Sequence, residues 1–227
     1  MGRRLSVTRG WTLAALAVVV LTAAGCQGSE TVAGGTERGT RTPAVPTPDL
    51  PTPLSYARLK QTVPDLQSMP VGWKVGRTEL RGRDYPKSAP CRANVCAGLT
   101  SHAELQYDNA DSTGNVYIDL YAYDDTQSAR SGYEKHRKSY AGQQDRAISM
   151  PTVGNVSMAR TGFNEYSGQP FVSVVMRVGT VVATMAYTHE QKADPQDMLA
   201  LARLQAERIQ QAQRGGRVTA SLAGHKI

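Results

Sequence analysis

The clearest pattern in the chain is an alternation of apolar and tyrosine-rich positions between residues 115 and 123. The apolar positions are Val116, Ile118, Leu120 and Ala122, and the positions between them are Tyr117, Asp119, Tyr121 and Tyr123. A period of two predicts a strand with its aliphatic side chains on one face and its tyrosines on the other. Residues 102–107 are predicted as a second strand, and the polar residues 108–114 as the turn between the two.

The most apolar part of the chain lies further on, in residues 171–178 and 181–188. Both segments are rich in valine and predict strands. Gly179-Thr180 between them fits a two-residue hairpin turn with glycine in its first position. Because the first segment is apolar on both faces, this pair is predicted to be central and covered on each side. Residues 74–81 and 155–161 predict two further strands.

Three helices are predicted around these strands. Residues 55–62 form a short helix, and residues 126–141 a polar helix with Asp125 or Thr126 as its N-cap. A final helix starts at Asp194-Pro195, where an N-cap residue precedes proline at the first helical position. The apolar stripe of this final helix is Met198, Leu201, Ala202, Leu204 and Ile209. The predicted fold class is α+β, a mostly antiparallel sheet with helices packed on it.

The N-terminus has the layout of an export signal. Three arginines and no acidic residue precede the apolar run at residues 13–21, which is shorter than the roughly 20 residues of a membrane span. Ala23-Ala24-Gly25-Cys26 follows and resembles the bacterial lipobox. This resemblance implies that residues 1–25 are a signal peptide, that Cys26 is acylated with fatty acids such as palmitate, and that membrane lipid is a partner. The alternative is ordinary cleavage that leaves a free, reactive thiol.

The rest of the chain divides by composition. Residues 26–53 are rich in Pro, Thr and Gly and predict a disordered tether. Residues 54–214 are the length of one α+β domain, and residues 215–227 predict a flexible tail. We therefore expect a domain on the extracytoplasmic face of the cell membrane, held there by lipid. The sequence does not decide between the general and the twin-arginine export routes.

The positive charge of the chain lies mostly at its ends. The formal net charge is +7, and removal of residues 1–25 lowers it to +4. Arg214, Arg217 and Lys226 supply three more positive charges near the C-terminus. The domain itself is close to neutral, so we expect no nucleic-acid partner.

Two cysteines remain once Cys26 is assigned to the lipid anchor. Cys91 and Cys96 are four residues apart in an oxidising compartment, which favours a disulfide. Such a bond closes a small loop and would stabilise the fold by about 2 kcal/mol at most. A zinc site or a redox pair is less favoured, because the first needs two more ligands and the second usually has Cys-x-x-Cys spacing.

The layout as a whole resembles one group of bacterial proteins. Two segments show the resemblance. They are Met150-Pro151-Thr152-Val153-Gly154-Asn155, a turn before a strand, and the late hairpin at residues 174–182. Together with the signal peptide and tether, they resemble actinobacterial lipoproteins with a sensor-like extracellular domain, including the ectodomains of mycobacterial serine/threonine kinases. The resemblance implies a mixed α/β domain with a stabilising disulfide and, for some members, ligand binding.

No catalytic motif is present in the sequence. The four histidines are scattered without metal-ligand spacing, and His136 is predicted to be a solvated helix residue. Asp108, Asp111 and Asn115 lack the pattern of a calcium loop, so a polar hairpin is favoured over a metal site. We therefore assign no catalytic residue, no metal and no cofactor.

The remaining candidate is an aromatic surface. Tyr117, Tyr121 and Tyr123 share a strand face, and Tyr133 lies on the following helix, so these four are candidate ligand-binding residues. Packing of that helix over the tyrosines explains the pattern equally well and is favoured. The predicted function is a non-enzymatic domain for a small ligand or an envelope protein. The alternatives are a purely structural or interaction lipoprotein, and a cell-envelope hydrolase if two carboxylates, or a Ser, His and acid, converge.

Overall fold

The computed structural model describes residues 51–76, 80–85, 97–139 and 145–225, and every structural statement below concerns these residues. The first half of the domain contains α1 (Tyr56–Thr62), β1 (Lys74–Val75), β2 (Arg81–Asp84), β3 (Leu99–Asp108), β4 (Gly114–Tyr123) and α2 (Thr126–Ser139). The second half contains β5 (Arg146–Ile148), β6 (Val156–Phe163), β7 (Pro170–Val178), β8 (Val181–His189) and α3 (Pro195–Gln213). The predicted α+β class is confirmed.

The strands form one antiparallel sheet in the described part of the chain. Its order is β1-β3-β4-β8-β7-β6-β5, and β2 also pairs with β3. The predicted turn at Gly179-Thr180 is confirmed, because Val178 pairs with Val181 and Gly179 has a φ of 57°. The two predicted hairpins are joined by pairing of β4 with β8, which brings Ile118 opposite Met185.

The helices cover both faces of this sheet. α1 and α3 pack on the face that carries the aliphatic side of β4, and the predicted stripe of α3 is buried there. α2 packs on the opposite face, which we call the α2 face, against Tyr123, Val175 and Val182. β7 and β8 are therefore buried on both sides, as their sequence predicts.

The close approach of α2 is permitted by a glycine. A Cβ atom at Gly132 would overlap the ring of Tyr123, so only glycine lets the helix backbone lie against that ring. The helix begins where Asp125 Oδ1 accepts a hydrogen bond of 2.6 Å from the Ser128 amide. Of the two N-caps considered, Asp125 is the one observed.

A buried arginine connects α3 to the rest of this layer. Arg208 is 4% exposed, and burial lowers the pKa of its guanidinium. All its nitrogens donate at 2.8–3.2 Å, to the backbone carbonyls of Gln61, Thr62, Val63 and Ala220 and to Ser68 Oγ. One side chain therefore joins the end of α1, the loop that follows it and the C-terminal segment.

The C-terminal segment differs from the sequence prediction. Residues from 215 onward were expected to be a flexible tail, yet Ala220 and Leu222 are buried in the main core. The Leu222 amide also donates to the Ser68 carbonyl at 2.8 Å. The segment is rich in Gly, Arg and Ser, so its composition does not predict that two of its apolar residues reach the core. Residues up to 222 therefore belong to the domain.

Two details of the strands also differ from the prediction. The single strand predicted at residues 74–81 is replaced by the separate strands β1 and β2, both paired with β3. The short strand β5 was not predicted, because three residues are too few to show a period of two.

Several sequence-based predictions lie outside the described residues. They are the signal peptide, the lipidation of Cys26, most of the tether, and the disulfide between Cys91 and Cys96. Within the described residues, no helix has both the length and the apolar character that crossing a bilayer requires.

Replacement of Arg208 tests the role of its hydrogen-bond network. Arg208→Ala leaves several buried carbonyl groups without donors, so we expect the free energy of unfolding to fall by about 3 kcal/mol or more. Urea unfolding followed by circular dichroism measures this change. Arg203→Ala, on the exposed side of the same helix, is the matched control and should change stability by less than about 0.5 kcal/mol. Equal effects of the two substitutions would contradict the assigned role.

Candidate functional site

The four candidate tyrosines separate into two pairs. Tyr123 and Tyr133 are buried between the sheet and α2, and burial raises the pKa of both phenols. Their surroundings match the packing alternative, in which α2 simply covers the tyrosine side of β4. These two side chains hold the helix in place and offer little surface to a ligand.

Tyr117 and Tyr121 are only half-buried and lie on the α2 face beside the helix. The Tyr117 hydroxyl donates a hydrogen bond of 2.9 Å to Glu104 Oε2 on the neighbouring strand. The ring of Tyr121 packs against two imidazoles, with centroid distances of 4.7 Å to His102 and 4.2 Å to His136. The tyrosines thus lie next to titratable groups that are far apart in the sequence or on a different strand.

The strongest cluster of such groups is His102, Glu104 and Asp119. His102 and Glu104 lie on one face of β3, and Glu104 pairs directly with Asp119 on β4. His102 Nε2 is 3.3 Å from Asp119 Oδ1. One donor atom from each of the three residues lies within 4.8 Å of the other two. An imidazole and two carboxylates at this spacing can share a proton or hold a divalent cation.

His136 does not lie where it was predicted. It is 6% exposed rather than solvated, and its Nε2 atom has no hydrogen-bond partner among the described residues. Burial, with a smaller contribution from the charge of His102, lowers the pKa of His136 to about 4. The residue is therefore a neutral imidazole at neutral pH. The polar sequence around it, Glu134-Lys135-His136-Arg137-Lys138, conceals its inward orientation.

A depression lies at the β7–β8 side of the α2 face, where α2 ends. Its volume is about 430 Å³, and its floor includes Ser173, Ala186 and Thr188 on the two central strands. Phe163, Tyr166 and Phe171 line it, and these include both phenylalanines of the chain. Ala186 pairs with Tyr117, so the floor lies next to the strand that carries the half-buried tyrosines.

Two carboxylates also border this depression. Asp145 and Glu165 are among its lining residues, and they add negative charge to an otherwise aromatic rim. Tyr166 is 99% exposed and Phe163 is 61% exposed. Such exposure of aromatic side chains beside a concavity is unusual for a surface without a binding role.

Other depressions lie at the far end of α3. One has a volume of about 510 Å³ and includes Gly179, Gln213 and Arg214, and its neighbour shares Gln210 and Arg214 with it. Most of the residues that line them are polar, charged or glycine. Neither contains an aromatic residue to contact an apolar ligand, so the α2 face is the better candidate.

The loop between β3 and β4 is a hairpin turn, as predicted. Asp111 Oδ1 accepts hydrogen bonds from the amide and the hydroxyl of Thr113, at 3.1 Å and 2.6 Å. These bonds lower the pKa of Asp111 and stabilise the turn. The Asp111 oxygen considered for calcium is therefore used within the turn.

Comparison with known proteins finds a likeness among solved structures. No family model and no curated protein matches the chain. The extracellular domain of the kinase PknH from Mycobacterium tuberculosis is similar in structure, with 11% sequence identity and a TM-score of 0.49, over 71% of this chain and 99% of that chain. It is an ectodomain of the group that the sequence resembles. At this identity the likeness is one of fold, and nothing about binding or activity follows from it.

The burial of His136 predicts a pH dependence of stability. The unfolded chain takes up a proton at His136 near the ordinary pKa of 6.5, whereas the folded chain does so only near 4. Stability from this residue is therefore complete above pH 6.5 and is lost as the pH falls toward 4. The expected loss at pH 5 is about 2 kcal/mol.

Urea unfolding at a series of pH values measures this loss. His136→Phe keeps an aromatic ring against Tyr121 but cannot be protonated, so its stability should fall less over the same range. His225→Gln, at an exposed position near the C-terminus, is the control and should behave as the unmodified chain. A His136→Phe variant with an unchanged pH profile would refute the prediction.

Proposed function

We propose that the chain is a lipid-anchored protein of the cell envelope whose α+β domain binds a small ligand at the α2 face, without catalysing a reaction. The depression lined by Phe163, Tyr166 and Phe171 carries this proposal. The anchor is supported by the N-terminal sequence, in which a basic segment, a short apolar run and Ala23-Ala24-Gly25-Cys26 follow in order.

The size and lining of the depression suit a small molecule. Its volume of about 430 Å³ falls within the range of about 300–1,000 Å³ that is typical of ligand sites. The floor consists of strands β7 and β8, which are paired with strands on either side in the sheet and packed against α3 on their opposite face. A rigid floor lowers the entropy that binding must overcome, so the site is largely formed before the ligand arrives.

The chemistry of the lining narrows the class of ligand. Aromatic rings favour a flat or apolar body, because they bury area without losing much side-chain entropy. Asp145 and Glu165 at the border favour hydrogen-bond donors or a positive charge on the ligand, and they disfavour an anion. We therefore expect a small amphipathic molecule with an apolar body and at least one amine or hydroxyl group.

Two other functions are each favoured by one observation. The high exposure of Tyr166 also suits contact with an envelope protein, because interfaces are enriched in exposed tyrosine. His102, Glu104 and Asp119 lie close together, and they include the two converging carboxylates that a cell-envelope hydrolase would require. Turnover of peptidoglycan fragments that is lost in Glu104→Gln would favour the hydrolase over the binding domain.

Native mass spectrometry of the chain extracted from its own envelope tests the ligand proposal. We expect a co-purifying small mass that departs on denaturation. The neutral dye Nile red serves as a probe of the same depression. Its affinity should fall at least tenfold in the double variant with Tyr166→Ser and Phe171→Ser, because the aromatic lining is removed.

Val71→Ser is the matched control for this experiment. Val71 is an exposed apolar residue that does not line the depression, and its replacement should leave dye affinity unchanged. A chain without a co-purifying mass, together with equal dye affinity in all variants, would contradict ligand binding. A co-purifying protein instead would favour the interaction role.

The lipid anchor is tested separately at Cys26. Cys26→Ala removes the only thiol that the lipobox would present for acylation, so we expect the chain to leave the membrane fraction and to incorporate no radiolabelled palmitate. Cys91→Ser is the control, and this variant should remain in the membrane fraction. Unchanged membrane association of Cys26→Ala would refute the anchor and would leave the ligand site untouched.

A further inference from the structure

We propose that His102, Glu104 and Asp119 form a binding site for one divalent zinc ion on the α2 face. The three side chains present one imidazole nitrogen and two carboxylate oxygens, all within 4.8 Å of one another. This site is distinct from the depression at Phe171 and does not depend on ligand binding there.

The backbone of two paired strands fixes the arrangement. His102 and Glu104 are two residues apart on β3, so their side chains point to the same face. Asp119 lies directly opposite Glu104 in the antiparallel register. Strands in the middle of a packed sheet move little, and a metal site built on them is therefore positioned before the ion binds.

Neighbouring side chains orient two of the three ligands. The Tyr117 hydroxyl donates to Glu104 Oε2 at 2.9 Å, and the ring of Tyr121 packs on the imidazole of His102. Such outer contacts fix ligand orientation in known metal sites. The side chains of His102 and Asp119 are 17% and 13% exposed, so an ion and its water can reach the cluster.

His136 is linked to the cluster only through Tyr121, whose ring contacts both His102 and His136. Its imidazole is buried and packs on Tyr121, the same ring that contacts His102, and its Nε2 atom has no partner among the described residues. An unpaired buried nitrogen is costly.

The donor set selects the kind of ion. One nitrogen and two oxygens suit zinc, which accepts three protein ligands and a water molecule in tetrahedral geometry. Donors of a tetrahedral zinc ion lie about 3.3–3.5 Å apart, and His102 Nε2 and Asp119 Oδ1 are already 3.3 Å apart. Calcium requires six to eight oxygen ligands and fits this set poorly.

Titration of the metal-free, full-length chain in detergent with zinc chloride tests the proposal. Isothermal calorimetry should show one zinc ion bound per chain. Glu104→Gln, Asp119→Asn and His102→Gln should each weaken binding at least tenfold. Tyr117→Phe should weaken it two- to tenfold, because Glu104 loses its orienting hydrogen bond.

Asp108→Asn is the matched control, since it removes a carboxylate from the same strand and lies outside the cluster. It should bind zinc as the unmodified chain does. Circular dichroism without metal shows whether each variant is folded. X-ray absorption at the zinc edge, on the unmodified chain, gives a readout that does not depend on any substitution and should show nitrogen and oxygen neighbours only.

Three outcomes would overturn the site. One is the absence of stoichiometric zinc binding in the unmodified chain. Another is binding that survives in folded Glu104→Gln and Asp119→Asn variants. The third is sulfur among the zinc neighbours, which would place the ion on the cysteines instead.

Discussion

The buried guanidinium of Arg208 imposes the constraint on which the packing of the α1–α3 layer depends. A positive charge away from water needs acceptors at every nitrogen, and this one finds them on three successive carbonyls at the end of α1, on Ser68 and on the C-terminal segment. Carbonyl groups rather than a carboxylate surround it. The position of α3 over the sheet is therefore specified by directional bonds as well as by its apolar stripe.

With one face closed in this way, the other face is left with a single helix. The described part of α2, Thr126–Ser139, covers only part of that surface, and Gly132 lets it lie close over Tyr123. The parts of this face that no described helix covers hold the His102, Glu104 and Asp119 cluster on β3 and β4 and the aromatic depression on β7 and β8. Because the described helices cover the two faces of the sheet unequally, part of the α2 face stays accessible while the main core on the other face remains buried.

Much of the fold could be predicted because its signals are local. The alternation in β4, the Gly179-Thr180 turn and the Asp194-Pro195 helix start each depend on a few neighbouring residues. The pairing of β4 with β8, the burial of Leu222 and the inward orientation of His136 depend on partners far away in the sequence. The candidate site was missed for the same reason: Asp119 meets Glu104 only through strand register, and a scan for histidine spacing cannot detect a ligand set shared by two strands. Tyr117 and Tyr121 lie on the same face as the cluster and the depression, although their pattern in the sequence does not reveal the ionisable groups beside them.

The bonds between Arg208 and Ala220, and between Ser68 and Leu222, have a consequence for the order of folding events under the proposed export. Residues near the start of the domain cannot complete their contacts until residues near its end are present. If the chain crosses the membrane N-terminus first, then the N-terminal half of the domain cannot finish folding until almost the whole polypeptide has crossed. An interrupted translocation would leave an open sheet lacking its α3 cover, and such an intermediate would be an easy substrate for envelope proteases.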